Sequence, residues 1–95
     1  MSEPIAEPIH EYLITPNAAG EMRRRGIDEA TLRQVMGAPE QRRNLRPGRD
    51  VLQARIELSG KTYLLRAFVD VDRVPPEVVT IYRTSKIAKY WRSEP

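Results

Sequence analysis

Residues 50–71 read DVLQARIELSGKTYLLRAFVDV, and the alternation in this stretch decides the fold. On an extended chain successive side chains point to opposite sides, so apolar residues at every second position mark a strand with one covered face. From Asp50 to Leu58 that period puts Leu52, Ala54, Ile56 and Leu58 on one side and Gln53, Arg55 and Glu57 on the other. Ser59-Gly60 is turn chemistry, and Lys61 to Val71 runs back as the most apolar strand of the chain. Its period places Tyr63, Leu65, Ala67 and Val69 opposite to Leu64, Arg66, Phe68 and Asp70. Arg66 is the odd residue here. A cation amid apolar neighbours needs a carboxylate, with Glu57 and Asp70 the nearest candidates, or an anionic ligand.

Working outward, Glu40 to Arg46 reads as a polar strand, turned at Pro47-Gly48 into the one just described. Downstream, the loop Asp72 to Pro76 leads to a last strand from Val78 to Arg83, where Val79, Ile81 and Arg83 alternate with Val78, Thr80 and Tyr82. Upstream, Met1 to Pro8 has no period and is expected to be a mobile arm, and Ile9 to Thr15 is expected to be a first strand. Pro16-Asn17 opens a helix with Asn17 as its expected N-cap, ending at Arg25 before Gly26. Ile27-Asp28 starts a second helix, capped by Asp28, in which Leu32, Val35 and Met36 share a face up to Gly37. The fold class predicted is α+β: a helical hairpin packed on an antiparallel four-stranded meander, with the first strand at its edge and a closing C-terminal helix. Residues 9–95 form one domain in this reading. Leu52, Ile56, Leu65, Ala67, Val69, Val79 and Ile81 are expected to be buried against Met22, Leu32 and Val35.

Composition narrows the functional classes. A chain of 95 residues buries about two-thirds of its unfolded surface around one core. Hydrophobic residues make up 40%, and no apolar run exceeds three residues, so no helix of this sequence is expected to cross a bilayer. The first ten residues hold Glu3, Glu7 and two prolines rather than a basic start and an apolar stretch, so no secretory signal is expected and the cytoplasm is the expected compartment. The absence of cysteine excludes disulfides, iron–sulfur clusters and thiol nucleophiles, and a single histidine, His10, makes a poor basis for a zinc site. No metal and no cofactor are expected. Of 16 cations, 13 are arginine, whose planar five-donor fork suits phosphate.

The segment from Ile81 to Arg92 carries four cations, three large aromatic residues and two hydroxyls without one acid. Cations give affinity for phosphate and aromatic faces stack on bases, so this pairing suits single-stranded nucleic acid. The same residues also suit a strand entering a short amphipathic helix, with its cations near the negative helix end.

The run Met-Arg-Arg-Arg-Gly-Ile in the helical part, followed by Val-Val-Thr-Ile-Tyr-Arg-Thr-Ser-Lys-Ile and Lys-Tyr-Trp, resembles a small bacterial domain-of-unknown-function family related to BrnT and RelE toxins. The likeness covers about Tyr12 to Arg92. It implies the fold shared by barnase, EndoU, colicin and RelE, a type II toxin that cleaves RNA, and a small antitoxin as partner. Relatives commonly carry His-Ala where this chain has Asn17-Ala18, so one histidine able to serve as acid or base is missing here.

Metal-free RNA cleavage deprotonates the 2′-hydroxyl, stabilises the phosphorane's charge and protonates the 5′-oxygen. The resemblance implies that arginine, lysine and tyrosine do this. Arg66 and Arg83 are then the charge stabilisers, Tyr82 or Tyr90 the proton-transfer group and Lys86 a phosphate clamp. Thr84 and Ser85 are hydroxyl donors and expected helix caps, and the Thr84 to Lys86 turn is a candidate phosphate anchor. Arg43 and Arg46 at the hairpin tip, with Arg55, Lys89 and Trp91, complete the expected RNA contacts. Each residue also has an ordinary use: ion pairs for the arginines, packing for Tyr82 and Trp91, capping for Thr84.

Two classes of function follow. One is an endoribonuclease toxin acting on RNA, with mRNA and the ribosome as candidate settings; the other is a non-catalytic module on the same fold that holds RNA or a protein. The cleaving reading requires Arg66, Arg83 and Lys86 to converge on one concave surface beside Tyr82 or Tyr90.

Overall fold

A computed structural model describes residues 6–92, and the expected mobility of the first five lies outside the described residues. The elements are β1 (Leu13–Ile14), α1 (Pro16–Arg25), α2 (Glu29–Gly37), β2 (Gln41–Arg46), β3 (Arg49–Leu58), β4 (Lys61–Asp70), β5 (Glu77–Thr84) and a single-turn α3 (Ile87–Tyr90). The fold is α+β. The strands form one sheet in the order β1-β5-β4-β3-β2. β2 to β5 are the expected antiparallel meander, but β1 pairs with β5 in parallel and makes the sheet five-stranded and mixed.

The β3–β4 hairpin pairs without a break from Arg49↔Asp70 to Leu58↔Lys61. Its turn places Ser59 at φ 52° and Gly60 at φ 77°, the two left-handed residues that a tight hairpin turn requires for its twist to match that of the strands. Leu52, Ala54, Ile56, Leu65, Ala67 and Val69 all point to the helix side and join Met22, Leu32, Val35 and Met36 in one buried cluster. This is the alternation read from residues 50–71.

Three expectations are corrected at the helices. The two helices do not lie on each other as a hairpin: α1 packs along β5, while α2 covers β3 and β4. The first strand is confined to Leu13–Ile14, because the Ile9 N–H donates to the Met36 carbonyl and so docks on the end of α2 instead of the sheet. Asn17 is not the cap of α1. Thr15 is, its hydroxyl accepting from the Ala18 N–H at 3.2 Å, with Pro16 at the first helical position where its missing N–H is harmless. The expected ends hold, with Gly26 left-handed at φ 67° after α1 and Asp28 accepting from the Thr31 N–H at 2.8 Å before α2.

The fourth correction is Val79. The register moves from Phe68↔Thr80 to Val69↔Val78, so Val79 is an extra residue in β5 and the alternation skips there. Val78 and Ile81 are both fully buried, while Val79 stays half-exposed. The bulge is pinned to α1. Asn17 Nδ2 donates to the Val79 carbonyl at 3.0 Å, and Glu21 Oε1 accepts from Thr80 Oγ1 at 2.6 Å and from the Ile81 N–H at 2.9 Å.

Burial disfavours the charged form of Glu21, but the bonds from Thr80 and Ile81, with Arg25 and Arg24 nearby, outweigh it and hold the carboxyl below its ordinary range. A depressed folded-state value gives stability that is present above the unfolded value and lost as pH falls through the folded one. In urea unfolding at neutral pH, Glu21→Gln should therefore lose about 1 kcal/mol, a figure kept small by solvent screening. The gap from wild type should narrow as acidification takes the pH through the depressed folded-state value of Glu21, below which both side chains are neutral; a gap independent of pH would remove Glu21 as the bulge anchor.

Candidate nucleic-acid interface

The sheet face opposite the helices is also covered. Val51 and Leu64 point to it and are fully buried, as is the polar Gln53. Its cover is the acid-free C-terminal segment, which leaves β5 at Thr84 and crosses back over β4 and β3 to the edge strand β2. Three contacts define the crossing: Gln53 Nε2 donates to the Tyr90 carbonyl at 3.2 Å, Gln41 Oε1 accepts from the Arg92 N–H at 3.1 Å, and Gln41 Nε2 donates to the Arg92 carbonyl. Trp91 lies 4.2 Å beneath the Arg55 guanidinium.

Arg66 sits on the floor under this strap and is only 6% exposed. It pairs with neither Glu57 nor Asp70, so of the two alternatives left open for it the carboxylate partner is not the one found among the described residues. Asp70 binds Arg49 at 2.7 Å, and Glu57 Oε2 accepts from Thr62 Oγ1. The three ion pairs of the described residues join Arg42 to Asp50, Arg49 to Asp70 and Arg55 to Glu40, none including Arg66. Its Nε instead donates to Gln53 Oε1 at 2.8 Å and its Nη1 to the Tyr82 hydroxyl at 2.7 Å. The guanidinium carbon lies 4.3 Å from the Tyr90 ring centre, 5.2 Å from Phe68 and 5.8 Å from Tyr82. Such ring contacts return about 0.5–2 kcal/mol each when desolvated, and they leave the charge itself in place.

Tyr82 stacks on Phe68 at 5.8 Å and meets Tyr90 edge-on at 6.2 Å between ring centres. The Tyr90 phenol is made more acidic than an ordinary tyrosine, first by hydrogen bonding from Tyr82, against a smaller effect of burial, and then by Lys89 and Arg66. Phenols with lowered values are better proton acceptors near neutrality.

Arg83 is not part of this group. Directly paired residues of an antiparallel ladder share a face, and Arg83 is paired with the core residue Leu65 whereas Arg66 is paired with Tyr82. Arg83 therefore projects to the helix side, 5.1 Å over the Tyr63 ring and close to Gly26. The expected convergence of Arg66, Arg83 and Lys86 on one surface does not occur. Lys86 is exposed in the turn before α3, and its N–H donates to Thr84 Oγ1 at 3.0 Å. The Thr84 hydroxyl thus occupies the N–H proposed as a phosphate anchor, and a four-residue helix has too small a dipole to replace it. No side-chain bond caps α3, so Thr84 and Ser85 are not its caps.

Of the expected RNA contacts, Arg43 lies opposite Val51 on the strap face, Arg55 stacks on Trp91 there, and Lys89 lies 5.4 Å from the Tyr90 ring. Arg46 sits apart at the β2–β3 tip, lining a polar hollow of about 110 Å³ with Arg49, Asp70, Asp72 and Arg73. A larger hollow of about 610 Å³ lies on the helix side between Ile14, Met22, Arg23 and Ile27, away from the strap. Gln41 and Gln53 escaped the sequence reading, although an amide inside the most regular hairpin is a signal of a polar partner overhead.

No protein-family profile, curated protein or solved structure matches the chain.

Gln53 accepts from Arg66 and donates to both Gln41 and Tyr90, so Gln53→Leu strands several buried groups at once. It should lower unfolding free energy by about 2–3 kcal/mol with an unchanged denaturant slope. Spectrophotometric titration should show one tyrosine ionising ahead of the rest, absent in Tyr90→Phe; Tyr12, raised chiefly by burial, should ionise late.

Proposed function

We propose that this domain binds single-stranded RNA across the strap face, with Arg66 as the phosphate anchor and Tyr82, Tyr90 and Trp91 as stacking surfaces. The observation that carries it is Arg66: a guanidinium 6% exposed, ringed by three aromatic side chains and without a carboxylate among the described residues. A charge desolvated to that degree is expensive unless an anion joins it. Phosphate is the anion that accompanies stackable rings in a ligand, and single strands expose both. Arg43 and Lys89 extend the positive surface beside it.

Cleavage that needs Arg66, Arg83 and Lys86 together is excluded by their separation, and the second reading is cleavage by Arg66 and the phenols alone, favoured by the acidified Tyr90 phenol beside the guanidinium. In that reading the domain is a metal-independent endoribonuclease toxin held by a small antitoxin. Tyr90 removes the 2′-hydroxyl proton, Arg66 stabilises the phosphorane and Tyr82 relays the proton to the leaving oxygen. Arg83 has no part in it, because it lies behind the sheet. The separation of Arg66 from Arg83 is the reason binding is placed first.

Fluorescence anisotropy with a labelled single-stranded RNA tests the proposal. Wild type should bind with a clear salt dependence, and Arg66→Met should lose about tenfold in affinity with a salt slope shallower by about one. Arg83→Ala should change neither by much. Equal binding by wild type and Arg66→Met would refute the anchor. RNA integrity and growth on induced expression decide between the readings: intact RNA and normal growth leave a binder, whereas cleavage lost in Tyr90→Phe makes it a nuclease.

A further inference from the structure

Arg66 is only 6% exposed in the structure as it stands, too little for a phosphate group to engage its guanidinium. The Tyr90 ring lies over its guanidinium at 4.3 Å, and the sheet seals it from below. The cover is lightly held. No residue of α3 is fully buried, and the strap's hydrogen bonds and ring contact to β2 and β3 are the Gln41–Arg92 pair of bonds, the Gln53–Tyr90 bond and the Trp91–Arg55 stack. All of these lie at its far end, between Tyr90 and Arg92. Gln53, by contrast, is directly paired with Arg66 across β3 and β4, and the bond between their side chains includes no atom of the strap.

From this asymmetry we infer that the strap 86–92 is a displaceable lid over an anion site, and that a phosphate group binds Arg66 by driving Tyr90 aside. The inference rests on the reading of Arg66 as a phosphate anchor and adds its regulation. With the strap closed, the rings of Tyr82, Tyr90 and Phe68 shield a charge that no carboxylate of the described residues offsets. With it open, the guanidinium presents its outer N–H groups on a floor already organised by Gln53 and Tyr82, and the ring of Tyr90 is released to stack beside the ligand. Apparent affinity is then the intrinsic affinity reduced by the open fraction, so loosening the strap must tighten binding. Gln41 is the latch, since its side chain grips both backbone groups of Arg92 and touches no part of the anion site except through Gln53.

Trp91 is the only tryptophan and sits on the strap, so the lid carries its own reporter. Acrylamide quenching of Trp91 should rise when wild type is titrated with pyrophosphate, and Arg66→Met should abolish the rise. Gln41→Ala should be more quenchable before any ligand is added and should bind pyrophosphate several-fold more tightly. The wild-type titration is informative even if Gln41→Ala folds poorly. Unchanged quenching at saturating pyrophosphate would overturn the lid, as would weaker binding by a folded Gln41→Ala, which would make the strap part of the site. A repeat with single-stranded RNA separates the two ideas: a strap that opens for pyrophosphate while RNA does not bind keeps the lid and removes the RNA reading. RNA binding without a change at Trp91 removes the lid alone.

Discussion

The bond from Arg66 Nε to Gln53 Oε1, made between directly paired residues of the two central strands, is the contact on which the strap face depends. A carboxylate in place of Gln53 would neutralise the guanidinium and close the site chemically, besides losing both amide donors. The amide accepts one hydrogen bond from Arg66 and leaves its charge without a carboxylate among the described residues, while its Nε2 reaches Gln41 and the Tyr90 carbonyl. No buried side-chain nitrogen or oxygen among the described residues lacks a partner, so this network is complete without being neutral. A fully satisfied polar network orients its members strongly in a low-dielectric setting. The unresolved quantity is charge, not hydrogen bonding, and charge is what an anionic ligand supplies.

The sheet divides two kinds of physics between its faces. On the helix side, apolar burial holds α1 and α2, and the one polar junction is the Val79 bulge gripped by Asn17 and Glu21. On the other side, a floor of Val51, Gln53, Leu64 and Arg66 is closed by a strap attached through amides and rings. The first face stabilises the domain through area removed from water. The second is covered by one short segment whose hold on β2 and β3 includes directional bonds and a ring contact at Trp91.

The helix side was legible because two periods converge on it. Residues 50–71 alternate strictly over a two-residue turn, and Leu32, Val35 and Met36 fall on one helical face, so register and layer follow together. The bulge was not legible, since Val79 differs in no property from Val78 and only the neighbouring strand reveals the extra residue. That one residue breaks the parity of β5 only across Val79. Arg83 stands two residues from the buried Ile81 and Arg66 next to the buried Leu65 and Ala67, so alternation alone already put the two arginines on opposite faces, and the expected convergence disregarded it. Thr15 could have been preferred to Asn17 as the cap, because Pro16 occupies the first helical position immediately after it. Alternation puts Gln53 with Arg55 and Glu57 on the face away from the apolar side and assigns nothing to lie over it, since its cover arrives from Tyr90, 37 residues later. Short-range patterns describe strands well and describe what lies over them poorly.

The same geometry bears on the histidine that the resemblance to RelE-type and BrnT-type toxins would place at the position of Asn17. Asn17 stands at the start of α1 and bonds the bulge carbonyl of Val79, on the side of β5 that α1 covers. Arg66, Tyr82 and Tyr90 lie on the opposite side of that strand and its neighbour. A histidine at position 17 would therefore have the sheet between itself and the Arg66 guanidinium, too far for a shared proton-transfer step. Chemistry at the strap face owes nothing to that position, and any cleavage there must come from the phenols. Conversely, a histidine at position 17 would act on the helix side, where Arg83 and Tyr63 lie farther along α1 and β5. The Arg66 and Arg83 groups are thus separated by the sheet and cannot act on one phosphate, so under the cleavage reading only the strap face joins a guanidinium to phenols.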